Sequence, residues 1–179
     1  MSRIVLATGG ARSGKSAWAQ ERAEALGARR VFLATCLPQD AEMIARVSRH
    51  RELRDSRSWS TVEEPMDLAG ALTRASGEFP VALVDCLTVW IGNRMWDAEQ
   101  RAETLSEDAV RQECLRVLEA CAGFSGGVVF VTGEVGLGIV PENAVARHFR
   151  DLLGRCNQTI AAGAGEVVLL VCGQPVRIK

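Results

Sequence analysis

Apolar residues in this chain gather into short continuous runs separated by longer segments of mixed character. The runs occupy residues 3–8, 30–35, 81–84, 128–132 and 167–171 and are dominated by Val, Leu, Ile and Phe. A run that does not alternate with polar residues fits a strand covered on both faces, as in a parallel sheet. Between the runs, helical patterns occupy residues 17–26, 40–54, 66–75, 106–122 and 141–162. Gly27 ends the first of these, Ser106 reads as an N-cap followed by Glu107 and Asp108, and Pro141 suits a first helical position. Trp59, Ser60, Thr61 and Val62 offer one further short strand. Alternating strands and helices predict an α/β fold, a mostly parallel central sheet flanked by helices. No repeat, low-complexity tract or long linker divides the sequence, so residues 1–179 read as one domain.

The first strand–helix junction carries a complete motif. Gly9, Gly10, Ala11, Arg12, Ser13, Gly14, Lys15 and Ser16 spell G-x-x-x-x-G-K-[ST] between the first apolar run and the first helix. Strand, glycine loop and helix in that order is the context this motif requires. The glycines let successive N–H groups turn toward phosphate oxygens, and the helix N-terminus adds partial positive charge. Lys15 supplies a full charge for the β- and γ-phosphates, and the Ser16 hydroxyl is a ligand for Mg²⁺. The loop predicts a nucleoside triphosphate site; a βα turn without ligand is the bland alternative.

Three other features bear on that site. Val81, Ala82, Leu83 and Val84 carry Asp85 to the end of a buried strand, where ligands of such sheets collect. Asp85 is either a carboxylate for the metal of the triphosphate or a cap for the segment that follows. Gly133, Gly136 and Gly138 follow the fourth apolar run, which suits close approach to a ligand, a mobile lid or a plain connection. The third feature is a basic segment: Arg46, Arg49, Arg51, Arg54 and Arg57 surround His50. Met43, Val47 and His50 fall at i, i+4 and i+7, so His50 continues an apolar helix face. One reading is a solvated basic helix with a partly buried imidazole. The other is a nucleophile toward phosphorus, with the arginines neutralising phosphate charge. Transfer of a γ-phosphoryl group needs no such nucleophile, so a reactive His50 implies a second activity.

Composition narrows the setting. Lys and Arg number 21 against 22 Asp and Glu, a net charge of −1, so no broad field draws the chain to nucleic acid or a membrane. The first apolar run is too short for a signal peptide, and no stretch approaches the roughly 20 apolar residues of a membrane span. The expectation is a cytoplasmic protein with no stable membrane insertion. Cys36, Cys86, Cys114, Cys121, Cys156 and Cys172 form no C-x-x-C pair and mostly sit in apolar segments. They read as reduced core thiols rather than as disulfides or zinc ligands.

The residues at 9–16, Ala34-Thr35, the segment 42–47 leading to His50, Val84-Asp85-Cys86-Leu87-Thr88, the stretch 133–143, Arg147-His148-Phe149-Arg150-Asp151 and Asn157-Gln158 recur in one order. In that order they resemble the bifunctional adenosylcobinamide kinase/adenosylcobinamide-phosphate guanylyltransferase family of cobalamin biosynthesis, over essentially the whole chain. The stretch 134–143 is far more specific than the phosphate loop. The resemblance implies two reactions: a nucleoside triphosphate, ATP or GTP, phosphorylates adenosylcobinamide, and GTP then gives its GMP moiety to that phosphate. It implies a guanylyl-histidine at His50, with Lys15 the second catalytic residue. It places GTP contacts on the loop 9–16, on Thr35, Cys36 and Leu37, on Arg51, Glu52, Leu53 and Arg54, and on Glu63 and Asp85, with Ser16 and Asp85 at the Mg²⁺. Glu63 could accept hydrogen bonds from the guanine N1 and N2 edge. The family's fold is similar to the recombinase-type branch of phosphate-loop proteins, and its members form homo-oligomeric rings such as trimers.

Two rival readings share part of this pattern. One is a phosphate-loop kinase of another small hydroxylated metabolite, with His50 structural. The other is an NTP-dependent switch or nucleic-acid motor. Aromatics at 5% of residues, with no Tyr at all, leave that second rival without the aromatic-studded basic groove it needs, and nucleic acid is not an expected partner.

Overall fold

The computed structural model describes residues 3–36 and 59–179, and every strand among them joins one sheet. In chain order the elements are β1 (Ile4–Gly9), α1 (Lys15–Glu24), β2 (Arg30–Ala34), β3 (Trp59–Glu63), α2 (Leu68–Ser76), β4 (Val81–Asp85), α3 (Leu87–Gln100), α4 (Glu107–Cys121), β5 (Gly127–Val131), α5 (Ala144–Gly163), β6 (Glu166–Val171) and β7 (Gln174–Arg177). The sheet runs β3-β2-β4-β5-β1-β6-β7, parallel throughout except that β7 pairs antiparallel to β6. The expected α/β architecture is what the chain adopts.

The continuous apolar runs are explained by two cores, one on each face. Leu6, Val31, Leu33, Ala82, Val84, Val128 and Phe130 point into a core shared with α2, α3, α4 and α5. Their strand neighbours Val5, Ala7, Phe32, Val81, Leu83, Val129 and Val131 point the other way, against Ala19 and Ala23 of α1. Successive strand side chains alternate faces, so a strand buried on both has no position left for a polar residue. The helices are recruited by stripes. Val110, Cys114, Val117 and Cys121 of α4 fall at i, i+4, i+7 and i+11 and are all buried.

Helix starts follow side chains that satisfy free N–H groups. Ser106 is the expected N-cap of α4, its Oγ accepting from the Ala109 N–H at 3.2 Å. For α5, Pro141 is not the first helical residue. Asn143 is the N-cap, its Oδ1 accepting from the Ala146 N–H at 3.0 Å, and Arg147 donates back to the carbonyls of Pro141 and Glu142, which holds those residues outside the helix. Likewise α2 starts after Asp67, whose Oδ1 accepts from Gly70, and not at Met66.

Two elements are additions to the sequence reading. Helix α3 contains Gly92 and the poor helix formers Val89, Trp90, Ile91 and Trp96. Burial decides instead: Leu87, Trp90 and Ile91 are enclosed, and the Trp90 indole donates to the Met66 carbonyl at 3.0 Å. Strand β7 follows a two-residue turn with positive φ at both Cys172 (52°) and Gly173 (78°), the form that matches strand twist. Pro175 sits in β7, which is tolerable only because β7 is an edge strand. The helix expected over residues 40–54 lies outside the described residues.

Candidate nucleotide site

The phosphate loop connects β1 directly to α1, and its shape explains its glycines. A side chain on Gly9 would place a Cβ 2.6 Å from the Ser13 Oγ and 2.7 Å from the Leu170 carbonyl oxygen. Gly14 is the N-cap of α1 with φ at 93°, a left-handed conformation that favours glycine, and it brings no capping side chain. The first N–H groups of α1 therefore remain available to an anion. Lys15 reaches back over the loop and donates to the Gly10 carbonyl at 3.0 Å. The Ser13 Oγ and the Thr8 Oγ1 are buried without a hydrogen-bond partner among the described residues. Polar atoms left unpaired in this way mark a site built for something further.

Two outside amides hold the loop. The Glu134 N–H donates to the Gly9 carbonyl at 3.0 Å, and the Gly173 N–H to the Ser13 carbonyl at 2.9 Å. The first comes from the chain leaving β5, the second from the β6–β7 turn.

Register places the other site residues. Glu63, Ala34, Asp85, Val131 and Ala7 stand level across β3, β2, β4, β5 and β1. At about 4.8 Å per strand, the Asp85 backbone is roughly 10 Å from β1 and that of Glu63 roughly 19 Å. Both lie at the same sheet edge as the loop. Asp85 is not the cap of the next helix: Cys86 occupies that position in α3. Thr35 is buried, and its hydroxyl both accepts from the Cys86 N–H and donates to the Cys86 carbonyl, each at 2.8 Å. Its own N–H donates to the Asp85 carbonyl at 3.3 Å. Thr35 thus fastens the ends of β2 and β4 beside Asp85. Cys36 is half-buried at the same edge.

Burial, with help from the neighbouring Asp85 charge, pushes the Cys86 thiol up to about 11. It stays protonated at neutral pH and is no nucleophile. Burial does the same to Cys121, raised to about 12. All six cysteines are free thiols, but only Cys114, Cys121 and Cys156 are core residues as expected, Cys36 and Cys86 being half-buried and Cys172, in the β6–β7 turn, exposed.

Three polar residues shape this edge without a role in the sequence reading, Asn93 unmentioned there and Thr88 and Asn157 only part of the resemblance. Asn93 of α3 donates to the carbonyls of Thr35 and Pro65 at 2.8 and 3.1 Å. Thr88 accepts from the Gly133 N–H at 2.6 Å. Asn157 of α5 accepts from the Thr132 hydroxyl at 2.7 Å and donates to the Gly133 carbonyl at 3.1 Å. These last two pin the root of the glycine loop. A Cβ on Gly133 would lie 3.0 Å from the Thr88 Oγ1, a tight contact, whereas Gly138 faces open space. Beyond the root, Leu137 is 83% and Ile139 97% exposed. Leu37, His50, Arg51, Glu52, Leu53 and Arg54 lie outside the described residues. His148 is half-buried on α5, its Nε2 without a partner among the described residues.

Comparison with known proteins gives a consistent result. Residues 5–178 match the family described as cobinamide kinase / cobinamide phosphate guanyltransferase. The chain is 40% identical over 185 residues to the bifunctional adenosylcobalamin biosynthesis protein CobU of Escherichia coli (strain K12), covering 98% of this chain and 99% of that protein. The protein of the same name from Salmonella typhimurium (strain LT2) gives the same identity and coverage. The bifunctional adenosylcobalamin biosynthesis protein CobP of Pseudomonas aeruginosa is 37% identical over 175 residues, covering 97% of this chain and 96% of that protein.

Proposed function

The chain belongs to the cobinamide kinase/cobinamide phosphate guanyltransferase family, and from that premise we propose how its residues divide two reactions. In the first, the aminopropanol hydroxyl of adenosylcobinamide attacks the γ-phosphorus of a bound ATP or GTP, and the nucleoside diphosphate leaves. In the second, a ring nitrogen of His50 attacks the α-phosphorus of GTP and pyrophosphate leaves. The phosphate of adenosylcobinamide phosphate then attacks the guanylyl phosphorus, the P–N bond breaks, and adenosylcobinamide-GDP forms as the imidazole is released.

The observation that carries this reading is the loop itself: an uncapped helix N-terminus, Lys15 folded over the loop and the unpaired Ser13 hydroxyl converge at one sheet edge. Lys15 would bear charge on the β- and γ-phosphates as the hydroxyl attacks. Asp85 and the Ser16 hydroxyl are hard oxygen donors and suit Mg²⁺, which when bound would screen the charge of the triphosphate. Thr35 shapes the edge, while Glu63, at the far end of the same rung, is the guanine contact in this reading. Cys36, the last described residue before the segment with His50, lies at this same edge. The chain acts as one domain in the cytoplasm, as a homo-oligomer, a trimer by family resemblance. Val176 and Ile178, exposed on and beside the edge strand, support burial against a second copy.

The test is GTP labelled at the α-phosphorus, followed by denaturing electrophoresis. Wild-type protein is expected to carry an acid-labile, comparatively alkali-stable label. His50→Ala should lose the label and GMP transfer but retain most phosphorylation of adenosylcobinamide, which needs only bound triphosphate, metal and an aligned hydroxyl. Label that persists in His50→Ala and vanishes in His148→Ala would assign the nucleophile to the other histidine. No label in wild type would favour direct transfer of GMP without a covalent intermediate, or a simple kinase.

A further inference from the structure

We infer that the β6–β7 turn is a positioning device for the phosphate loop, acting through the Gly173 amide. The Gly173 N–H donates to the Ser13 carbonyl at 2.9 Å. The peptide joining Ser13 to Gly14 is trans, since the one cis bond among the described residues is at Asp85-Cys86. In a trans peptide the C=O and N–H point in opposite directions. Holding the Ser13 carbonyl outward therefore turns the Gly14 N–H inward, to the side away from the turn. That N–H has no acceptor among the described residues, and it heads the helix that Lys15 begins.

The contact is built from backbone on both sides. A Cβ on Gly14 would lie 3.1 Å from the Gly173 Cα, so the turn packs against the loop as well as bonding to it. A Cβ on Gly173 would meet nothing within 4 Å, so its side of the contact is open. The turn is rigid for its own reasons. Cys172 and Gly173 both take positive φ, and β7 is zipped to β6 through Val171 with Gln174 and Leu170 with Pro175. The tail beyond is fastened too, the Lys179 Nζ donating to the carbonyls of Ala161 and Ala162 at the end of α5. An unliganded glycine loop can flip its peptides at little cost, because glycine accepts either hand. A donor fixed from outside removes that freedom at the Ser13–Gly14 peptide before the ligand arrives, which is preorganisation. Gly173 is thus a positioning residue: it touches no phosphate and sets the direction of an amide that does.

This inference rests on the loop binding a triphosphate, not on the corrinoid chemistry. Its test is a single-atom change. The peptide 172–179 begins at a cysteine, so it can be ligated to residues 1–171 with either the natural amide or an ester at Gly173. The ester removes the N–H and keeps the glycine. ATP titration should show about tenfold weaker binding to the ester than to the ligated amide, one charge-assisted contact being misdirected. The KM for ATP should rise similarly while kcat changes little. Gly173→Asn, which keeps the donor and tolerates positive φ, should bind ATP like wild type. Equal ATP affinity of ester and amide would overturn the inference. So would a lower melting temperature in the ester with unchanged ATP affinity, which marks a merely structural bond. An amide control that binds no ATP would instead strike the triphosphate reading itself.

Discussion

Asp85 shows how much a single position can reveal and where that stops. Four apolar residues ending in a carboxylate are visible in the chain, and their placement at the sheet edge follows from strand burial alone. Level with Ala7 and two strands from β1, it stands at the sheet edge that carries the phosphate loop, which suits the metal role proposed for it. Asp85→Asn keeps the shape and removes the charge, so Mg²⁺ should be held about 10–100-fold less tightly and phosphoryl transfer should fall at limiting metal. Titrating Mg²⁺ in the kinase assay reads this directly, and an unchanged Mg²⁺ dependence would leave Asp85 a structural residue. Gly9, Gly14, Lys15 and Ser16 were equally legible, because a local motif fixes its own geometry within one turn. Asn93, Thr88 and Asn157 were not. Asn157 is a polar residue inside a helical pattern, which by spacing reads as solvent-facing, and Thr88 and Asn93 lie in α3, which the pattern does not show. Only the topology brings Asn93 to Thr35 and Asn157 to Gly133.

Elements were legible where burial and local propensity agree. Strands β1, β2, β4, β5 and β6 are continuous apolar runs, and α4 carries both its stripe and its Ser106 cap. Helix α3 was hidden because its propensity argues against it and only the core it fills argues for it. Strand β7 was hidden because a Cys-Gly pair is a weaker turn signal than Asn-Gly, and Pro175 argues against a strand. Between α1 and β6 runs a link that pH can probe. Arg22 donates to Glu166 at 2.6 Å and Arg3 at 3.2 Å, with the Arg22 pair half-buried. The Arg22 hydrogen bond, above all, holds the Glu166 carboxyl below its ordinary 4.5. A lowered folded value means that the folded state binds fewer protons than the unfolded chain, so the link stabilises above 4.5 and fades as pH falls below it. Arg22→Ala should cost roughly 1 kcal/mol at neutral pH. In denaturant melts at successively lower pH, the gap between variant and wild type should close below 4.5 and not above it.

Across the whole molecule, the strand order separates what the chain places side by side. β1 lies between β5 and β6, while β2, its neighbour in sequence, lies beyond β5 and β4. Every strand partner of β1 is therefore distant: Ile4 pairs with Val128, Val5 with Glu166. The two carbonyls that fix the loop wait on Glu134 and Gly173. Long-range parallel pairing is slow, and domains form as the chain emerges from its N-terminus. During synthesis β1 must thus wait for β5 before it has any partner strand, and its second partner β6 and the Gly173 amide that holds the glycine loop come only when nearly all of the chain has been made. Chains stalled on the ribosome with residue 165 as the last one exposed should gain no protection from protease on adding ATP, whereas released full-length chains should. A motif translated before every other strand of the sheet is thus completed only with the last of them, and the finished loop that ATP binding would stabilise is not there to guide the steps before.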